Sequence, residues 1–264
     1  MSAGITAAIV LVLTAIIGFI LIKGLPAINF KFLFGPSGNA GASLRPAFVT
    51  TGMLILIALA VALPVGIGAA IYLSEYAKPD TRLVKTIRLF TETLAGMPSI
   101  IFGFFGVIFF CEFMKMGVSV LAGGLTLSLI ILPTVIRSTE ESIIAVPHAL
   151  REASLALGAG KLRTIFKVVL PSAISGIVTS VILGIGRIVG ESAALIYTAG
   201  AVVYTPDALT DRGASFAVMM WMFSSEGLYM SYAYGTAAVL LIFVAVLNTL
   251  IALLKNGFER GKKP

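Results

Sequence analysis

The chain has 264 residues, of which 58% are hydrophobic and only 12% are charged, and its mean hydropathy is +1.05. A soluble domain of this length cannot bury so much apolar surface in one core, so the composition excludes a soluble globular protein and predicts a membrane protein. The formal net charge of +7 does not indicate nucleic-acid binding, because the basic residues are distributed as in a membrane protein.

Six apolar segments are long enough to cross a hydrocarbon layer of roughly 30 Å, which requires about 20 helical residues each. The predicted spans are 3–22, 48–73, 89–111, 119–136, 172–198 and 233–254. No segment between them is long enough for a separate soluble domain, so we expect a single all-α transmembrane domain over residues 1–264. The first apolar run is too long for the core of a signal peptide, and no Lys or Arg precedes it, so we expect an uncleaved span.

The basic residues indicate the orientation of these spans. If the N-terminus is cytoplasmic, thirteen basic residues lie inside and five lie outside. The inner set is Lys78, Arg82, Lys85, Arg88, Arg137, Arg151, Lys161, Arg163, Lys167, Lys255, Arg260, Lys262 and Lys263, and the outer set is Lys23, Lys31, Arg45, Lys115 and Arg212. This asymmetry predicts that both termini are cytoplasmic and that the basic surplus faces anionic lipid of the inner leaflet.

Two external segments differ in character. Residues 23–47 are rich in glycine, proline and asparagine, which predicts an irregular segment. Residues 199–232 contain the apolar run Phe216–Phe223. This run is compatible with a surface for an external protein and equally with an interfacial helix anchored by Trp221 and Tyr229.

Proline and glycine interrupt the spans themselves. Pro64, Pro98 and Pro133 each lie inside a predicted span, where proline produces a kink whose freed carbonyl needs a protein or water partner. Small residues allow close approach between membrane helices. The pattern favours a packed, movable bundle over a simple anchor. The single cysteine, Cys111, is interpreted as apolar filler.

The longest inner connection, approximately 137–171, has a helical pattern of its own. Pro147 suits the first position of a helix and Gly158 suits the position just after its end. The predicted apolar face comprises Leu150, Ala153 and Leu157. We expect a short amphipathic helix outside the membrane, followed by a second helical piece that continues into the fifth span. Periodicity alone leaves two roles open, insertion into a groove of a partner protein and attachment to lipid.

This connection resembles the EAA loop of the permeases of bacterial ATP-binding-cassette (ABC) importers. The family pattern is Glu-Ala-Ala, three residues, Gly, nine residues, Ile, one residue, Leu-Pro. Here it reads Glu152-Ala153-Ser154, Gly158, Val168 and Leu170-Pro171, with Ser154 and Val168 as mild departures. In that family the loop forms the coupling helix that docks on the cytoplasmic ATPase. The resemblance implies a type I importer permease fold, with ATPase coupling through Glu152, Ala153, Gly158, Leu150 and Leu157.

Three further stretches resemble the permeases of phosphate importers, of the PstA type rather than the PstC type. They are Gly96–Gly103 in the third span, Ile136–Glu141 after the fourth span, and Ile185–Ala194 in the fifth span. The resemblance extends over most of residues 45–254 and implies that the cargo is inorganic phosphate.

Arg187 and Glu191 lie within the predicted fifth span, where an ionisable side chain is costly unless it is paired or hydrated. At positions i and i+4 of one helix they would share a face, together with Ser180 and Gly184. The guanidinium fork matches the oxygens of a phosphate, so one hypothesis is that Arg187 contacts the anion while Glu191 is its resting counter-ion. The alternative is a structural ion pair that holds the fifth helix to a neighbour.

The other titratable residues are weaker candidates. Arg137, at the inner end of the fourth span, suits an anion pathway and equally an ordinary positive-inside anchor. Glu92 and Glu112 lie near span ends, from which they can reach water, and His148 is expected to be solvated. The sequence has no metal-ligand spacing and no phosphate-binding loop of the Gly-x4-Gly-Lys-Ser/Thr type.

The family resemblance implies the rest of the assembly. We expect a channel subunit that is not itself an enzyme and has no cofactor of its own, because ATP and Mg²⁺ are bound by two cytoplasmic ATPase subunits. The other expected partners are a second homologous permease, an external phosphate-binding protein and membrane lipid, in the inner membrane of a prokaryote. The alternatives are a permease for molybdate, tungstate or sulfate, a secondary transporter that needs no ATPase, and a membrane scaffold. The EAA loop argues against the secondary transporter. The charged residues of the fifth span argue against the scaffold.

Overall fold

The computed structural model describes residues 2–36, 43–78, 81–225 and 229–260, and every regular element in these ranges is helical. Within these ranges five helices are long and apolar enough to cross a membrane, and a bent pair of helices meets the same criterion when the two are counted as one span. The prediction of an all-α protein with about six spans is confirmed.

The N-terminal part of the chain forms three helices. Helix α1 is Ser2–Gly24, α2 is Phe30–Phe34, and α3 is Arg45–Ile71, with a π-helical turn, Tyr72–Tyr76, that completes α3. The predicted irregular segment 23–47 therefore contains helix α2, which begins where the side chain of Asn29 accepts a hydrogen bond from the backbone N–H of Phe32. Residues 37–42 of that prediction lie outside the described residues.

The third predicted span, 89–111, is wrong as a single helix. Helix α4, Arg82–Gly96, and helix α5, Ser99–Gly106 with its π-helical continuation Val107–Phe113, meet at an angle of 102°. Pro98 separates them, with the extended backbone that proline imposes. Only α5 has the all-apolar composition of a crossing, whereas α4 alternates basic and apolar residues.

The middle of the chain forms two long helices joined by the predicted cytoplasmic piece. Helix α6 is Val120–Ile144, α7 is His148–Ala156, and α8, Lys161–Thr164, continues through Ile165–Val169 into α9, Leu170–Gly190. The expectation of a second helical piece that feeds the fifth span is confirmed. The predicted bounds of that span, 172–198, are wrong at both ends, because the helix begins at Lys161 and ends at Gly190.

Three helices complete the chain. Helix α10 is Ala193–Thr198, α11 is Phe216–Ser225 and α12 is Met230–Arg260. The apolar run of the second external segment thus forms α11, whose first residues, Phe216 to Met219, are buried in the core, while Trp221 is 46% exposed. An interfacial helix fits only its second half.

The core lies where α3 packs along α6, and α9 and α10 pack around them. Close approach depends on glycine at two crossing points. A Cβ added at Gly66 would lie 2.7 Å from Val135 Cγ1, and one added at Gly124 would lie 2.6 Å from Ile57 Cγ2. Since lipid tails are as apolar as leucine, such close van der Waals packing is the main source of helix association in a bilayer.

Helix α1 lies at the edge of this bundle. It packs along α12, where the rings of Phe19 and Tyr234 meet edge to face at 5.8 Å and Gly24 touches the backbone of Tyr234. Most of its other apolar side chains are exposed, Leu11 by 69% and Ile22 by 73%. A helix so apolar and so exposed requires lipid or another membrane subunit around it.

Candidate functional site

Helix α7 lies outside the bundle and ends at a glycine. Gly158 has a φ of +82°, and its backbone N–H donates to the carbonyl of Leu155 at 2.9 Å. Only glycine adopts this left-handed conformation without strain, so the predicted stop is confirmed. The predicted start is one residue too early, because Pro147 is the cap that precedes the helix and His148 is its first residue.

The apolar side chains of α7 are left uncovered by the rest of the chain. Leu150 is 44% exposed, Leu155 50% and Leu157 89%, and Ala153 is also exposed. Glu152 is exposed beside them, and so is His148, as expected. The predicted face therefore points away from the bundle and is accessible to a partner. Its role in docking stays a prediction.

The opposite side of α7 is attached to the bundle by Arg151, which was not among the predicted site residues. The guanidinium of Arg151 donates from Nε to Glu75 Oε1 at 3.0 Å, and from Nη2 to the carbonyl of Ile143 at 2.8 Å. Its Nη1 donates to the carbonyl of Val146. The side chains of Arg151 and Glu75 are only 14% and 10% exposed. The signal was available in principle, since Arg151 occupies the face of α7 opposite Leu157, but its partner lies 76 residues earlier in the sequence.

Arg187 lies half-buried in the last turn of α9. Ser180 and Gly184 share its face as predicted, and both are buried, with Gly184 facing Ile131 of α6. The predicted pairing with Glu191 is wrong: among the described residues no carboxylate lies within 4.0 Å of the guanidinium. The reason is that α9 ends at Gly190, and Glu191 adopts an extended conformation with a ψ of 127°.

Glu191 has a different local role. Its side chain is 8% exposed, and Oε1 accepts a hydrogen bond from the backbone N–H of Ala194 at 3.2 Å. A carboxylate at this position caps the first turn of α10 and interacts favourably with its N-terminal dipole. Glu191 thus fixes the turn between α9 and α10 rather than neutralising Arg187.

Helix α10 brings two of the three phosphate-permease-like stretches together. A Cβ added at Gly103 of α5 would lie 2.8 Å from Cα of Ala194, so the two backbones are in contact. Gly103 ends the first stretch and Ala194 ends the third. Met97, from the first stretch, packs against the main core that includes Ile188. Glu191, three residues before Ala194, therefore lies close in the chain to the contact between α10 and α5.

Arg137 belongs to a separate cluster between α4 and α6. Its Nε lies 3.1 Å from Glu141 Oε1 and its Nη1 lies 3.6 Å from Glu92 Oε1, with the side chain 62% exposed. Arg88 of α4 pairs with Glu140 of α6 at 2.6 Å. Two adjoining open cavities of about 280 and 240 Å³ are lined in part by Thr91, Glu92, Arg137 and Glu141. The structure thus places Arg137 and Arg187 at different sites.

Nothing in the described part of the chain gathers three or more metal-ligating side chains. The single cysteine, Cys111, is buried, and its thiol faces the carbonyl of Thr198 at 3.9 Å, as expected for a packing residue.

Comparison with known proteins agrees with these features. Residues 62–264 match a family described as binding-protein-dependent transport system inner membrane component. A probable ABC transporter permease protein, YqgI of Bacillus subtilis (strain 168), is 33% identical over 93% of this chain and 90% of its own length. The phosphate transport system permease protein PstA of Yersinia pestis is 36% identical over 86% of this chain and 76% of its own length.

Solved structures support the fold. A chain of the MetNI methionine ABC transporter, determined in inward-facing conformations, superposes with a TM-score of 0.63. The match covers 81% of this chain and 94% of that chain at 19% identity. At this identity the likeness concerns the fold alone.

Proposed function

Because this chain belongs to the family of binding-protein-dependent transport system inner membrane components, and is thus a permease subunit of an ABC importer, we propose that its cargo is inorganic phosphate. The family implies an ATPase partner and a substrate-binding protein. The similarity to the phosphate transport system permease protein PstA of Yersinia pestis supports this cargo.

The observation that carries the proposal is the environment of Arg187. Its guanidinium is half-buried at the end of a membrane helix, and no ion pair occupies it within the described part of the chain. A planar fork of donors without a carboxylate partner is suited to a tetrahedral oxyanion, which it can meet through two parallel hydrogen bonds. Glu191, which caps α10, holds the turn that follows and is 8% exposed.

We assign Arg187 to contact with phosphate and Glu191 to positioning of the turn beside it. Arg137, in the cluster at the inner end of α6, is assigned to the cytoplasmic exit of the pathway. Its exposed guanidinium can exchange Glu92 or Glu141 for a passing anion, because exposed ion pairs are weak.

In the proposed assembly this chain and a second homologous permease enclose the pathway. Two cytoplasmic ATPase subunits bind ATP and Mg²⁺, and an external phosphate-binding protein delivers the cargo. The exposed face formed by Leu150, Ala153 and Leu157, with Glu152 beside it, docks on an ATPase. Both termini of the chain lie in the cytoplasm.

Substitution of Arg187 tests the cargo contact. In proteoliposomes that contain the complete transporter, we expect Arg187→Gln to abolish phosphate uptake and Arg187→Lys to impair it strongly, because an ammonium cannot reproduce the bidentate contact. The control is Arg163→Gln, a change of an exposed cation outside the membrane. Normal uptake by Arg187→Gln at wild-type abundance would refute the role of Arg187.

A further inference from the structure

The two faces of α7 differ in how they are connected to the rest of the molecule. Leu150 and Leu157 are exposed, whereas Arg151 and Ser154 face the bundle and are partly buried. Ser154 and Thr164 share a hydrogen bond of 2.9 Å between their hydroxyls, which joins α7 to α8. Among the side-chain hydrogen bonds and ion pairs of the described residues, those of Arg151 are the ones that connect α7 to the ends of α3 and α6.

The contacts of Arg151 reach two different membrane helices. Nε and Nη2 both contact Glu75 Oε1, at 3.0 and 2.9 Å, and Glu75 belongs to the π-helical turn that ends α3. Nη2 and Nη1 contact the carbonyls of Ile143 and Val146, which lie at the end of α6 and just beyond it. The carbonyl of Ile143, one of the last of α6, also accepts the backbone N–H of Val146 at 3.2 Å, and the carbonyl of Val146 lies beyond the end of the helix.

The end of α3 is held from the other side of the connection as well. Lys161, the first residue of α8, donates to the backbone carbonyl of Glu75, and its ammonium lies 4.5 Å from the centre of the Tyr76 ring. Residues 75–76 are therefore contacted by one cationic side chain from α7 and by another from the start of the fifth span. A displacement of α7 cannot leave this turn of α3 unchanged.

Among the ion pairs of the described residues, that of Arg151 and Glu75 is the least exposed; in the pair of Arg88 and Glu140 the side chains are 45% and 11% exposed. The side chains of Arg151 and Glu75 are 14% and 10% exposed, whereas those of Arg137 and Glu141 are 62% and 67% exposed. Exposed ion pairs contribute little to stability and exchange partners readily. Breaking a buried ion pair is costly, because it leaves an unpaired charge in the interior. The Arg151 contact is thus suited to transmit force.

We infer that Arg151 is the positioning residue that joins α7 to the inner ends of α3 and α6, so that movement of α7 reaches both membrane helices. The inference rests on the proposed function of α7 as the element that docks on the ATPase. Glu152, its neighbour in the sequence, faces away from the bundle and takes no part in this connection.

The test compares variants of the complete transporter in proteoliposomes, with phosphate imported per ATP hydrolysed as the readout. We expect Arg151→Gln to lower this ratio by about tenfold, the scale of coupling between linked sites, while ATP hydrolysis without the binding protein persists. Arg151→Lys should be intermediate, because an ammonium can pair with Glu75 but cannot also reach both carbonyls. Arg163→Gln, on the same connection, is the matched control and should keep the wild-type ratio.

Charge reversal keeps the test decisive if Arg151→Gln fails to assemble. The double variant Arg151→Glu with Glu75→Arg should recover a higher ratio than either single change, since it restores the pair. Glu75→Gln should lower the ratio as Arg151→Gln does. A wild-type ratio in Arg151→Gln or in Glu75→Gln, at wild-type abundance, would overturn the inference.

A second readout does not depend on the cargo. Spin labels at His148 of α7 and Tyr72 of α3 should give one narrow distance distribution with and without ATP in an otherwise unchanged complex, and a broad one in Arg151→Gln. Equal widths in both proteins would overturn the inference. A wild-type complex that imports no phosphate refutes the proposed cargo instead, and the label distances then decide the role of Arg151.

Discussion

Three arginines of this protein differ in the number of hydrogen-bonding and ion-pair partners that surround their guanidinium groups. Arg151 has a carboxylate and two carbonyls as partners, Arg137 has two exposed carboxylates, and Arg187 has no ion-pair partner in the described ranges. An unpaired guanidinium in a span is expensive unless water or a ligand meets it. We propose on this basis that Arg151 forms a structural link, Arg137 an exchangeable contact and Arg187 a ligand contact.

The sequence identified Arg187 and Glu191 because charges are rare in apolar segments, but it could not identify their separation. The spacing of four residues implies a shared face only while the helix continues, and α9 stops at Gly190. No glycine or proline pattern distinguished this stop from Gly184 or Gly186, which lie inside the helix. Immediately after this stop, α10 packs against α5.

The cap formed by Glu191 can be tested through stability. We expect Glu191→Ala to destabilise the turn before α10 by about 1 kcal/mol, a typical loss when a side-chain cap is removed. Glu191→Gln should have a smaller effect, because an amide oxygen still accepts the N–H of Ala194. Thermal unfolding of the purified complex in detergent measures both. An equal loss of Tm in the two variants would show that the negative charge, and not the cap, is what stabilises the site.

Local sequence signals predicted an element correctly where its structure depends on its own residues. Gly158 predicted the end of α7, and the apolar spacing of its side chains predicted an exposed face. Pro98 marked the place of the break between α4 and α5, but not its angle of 102°. The link between Arg151 and Glu75 joins residues 76 positions apart, and periodicity carries no information about such a contact, so the sequence could not predict it.

The conformation at the end of α7 predicts that substitution of two nearby glycines has very different effects. Gly158 has a φ of +82°, whereas Gly160 has a φ of −69°, and a Cβ added at either would meet open space. Gly158→Leu should strain the backbone by roughly 1–2 kcal/mol and uncouple ATP hydrolysis from uptake. Gly160→Ala should be tolerated.

Uptake and ATP hydrolysis of both variants, measured in the same proteoliposomes, check this prediction. If correctly inserted Gly158→Leu protein imports phosphate normally, α7 is not the coupling element.

The contact between α3 and α6 predicts a second difference. Gly66→Ala places a methyl group 2.7 Å from Val135 Cγ1, whereas a Cβ at Gly68 meets nothing within 4 Å. We expect Gly66→Ala to destabilise the protein by about 1–3 kcal/mol, as overpacking does. Gly68→Ala is the matched control in the same helix. Equal thermal stability of the two variants would contradict the close packing of these helices.

The whole molecule combines a bundle core with surfaces that a single chain leaves uncovered. The side of α1 that faces away from the bundle and the apolar face of α7 are both exposed. Both exposures are expected of one subunit in a larger assembly. The number of spans followed from composition, whereas these uncovered faces became visible only once the intrachain packing was known.

The proposed orientation can be tested by thiol labelling. With Cys111 replaced by alanine, a cysteine at Asp207 should react with an impermeant reagent added to intact cells, and one at His148 should not. Both positions are exposed, so accessibility depends on the side of the membrane alone. The motivation is the excess of basic residues on the inner side. Labelling at position 148 in intact cells would reverse the orientation.

The central claim is that this subunit moves phosphate inward at the expense of ATP. The most direct measurement is radiolabelled phosphate uptake into proteoliposomes that contain this chain, its partner permease and the ATPase subunits, with the binding protein outside and ATP inside. We predict uptake only when ATP and phosphate-loaded binding protein are both present. Uptake that persists without ATP, or ATP hydrolysis that is stimulated by molybdate-loaded but not by phosphate-loaded binding protein, would contradict the claim.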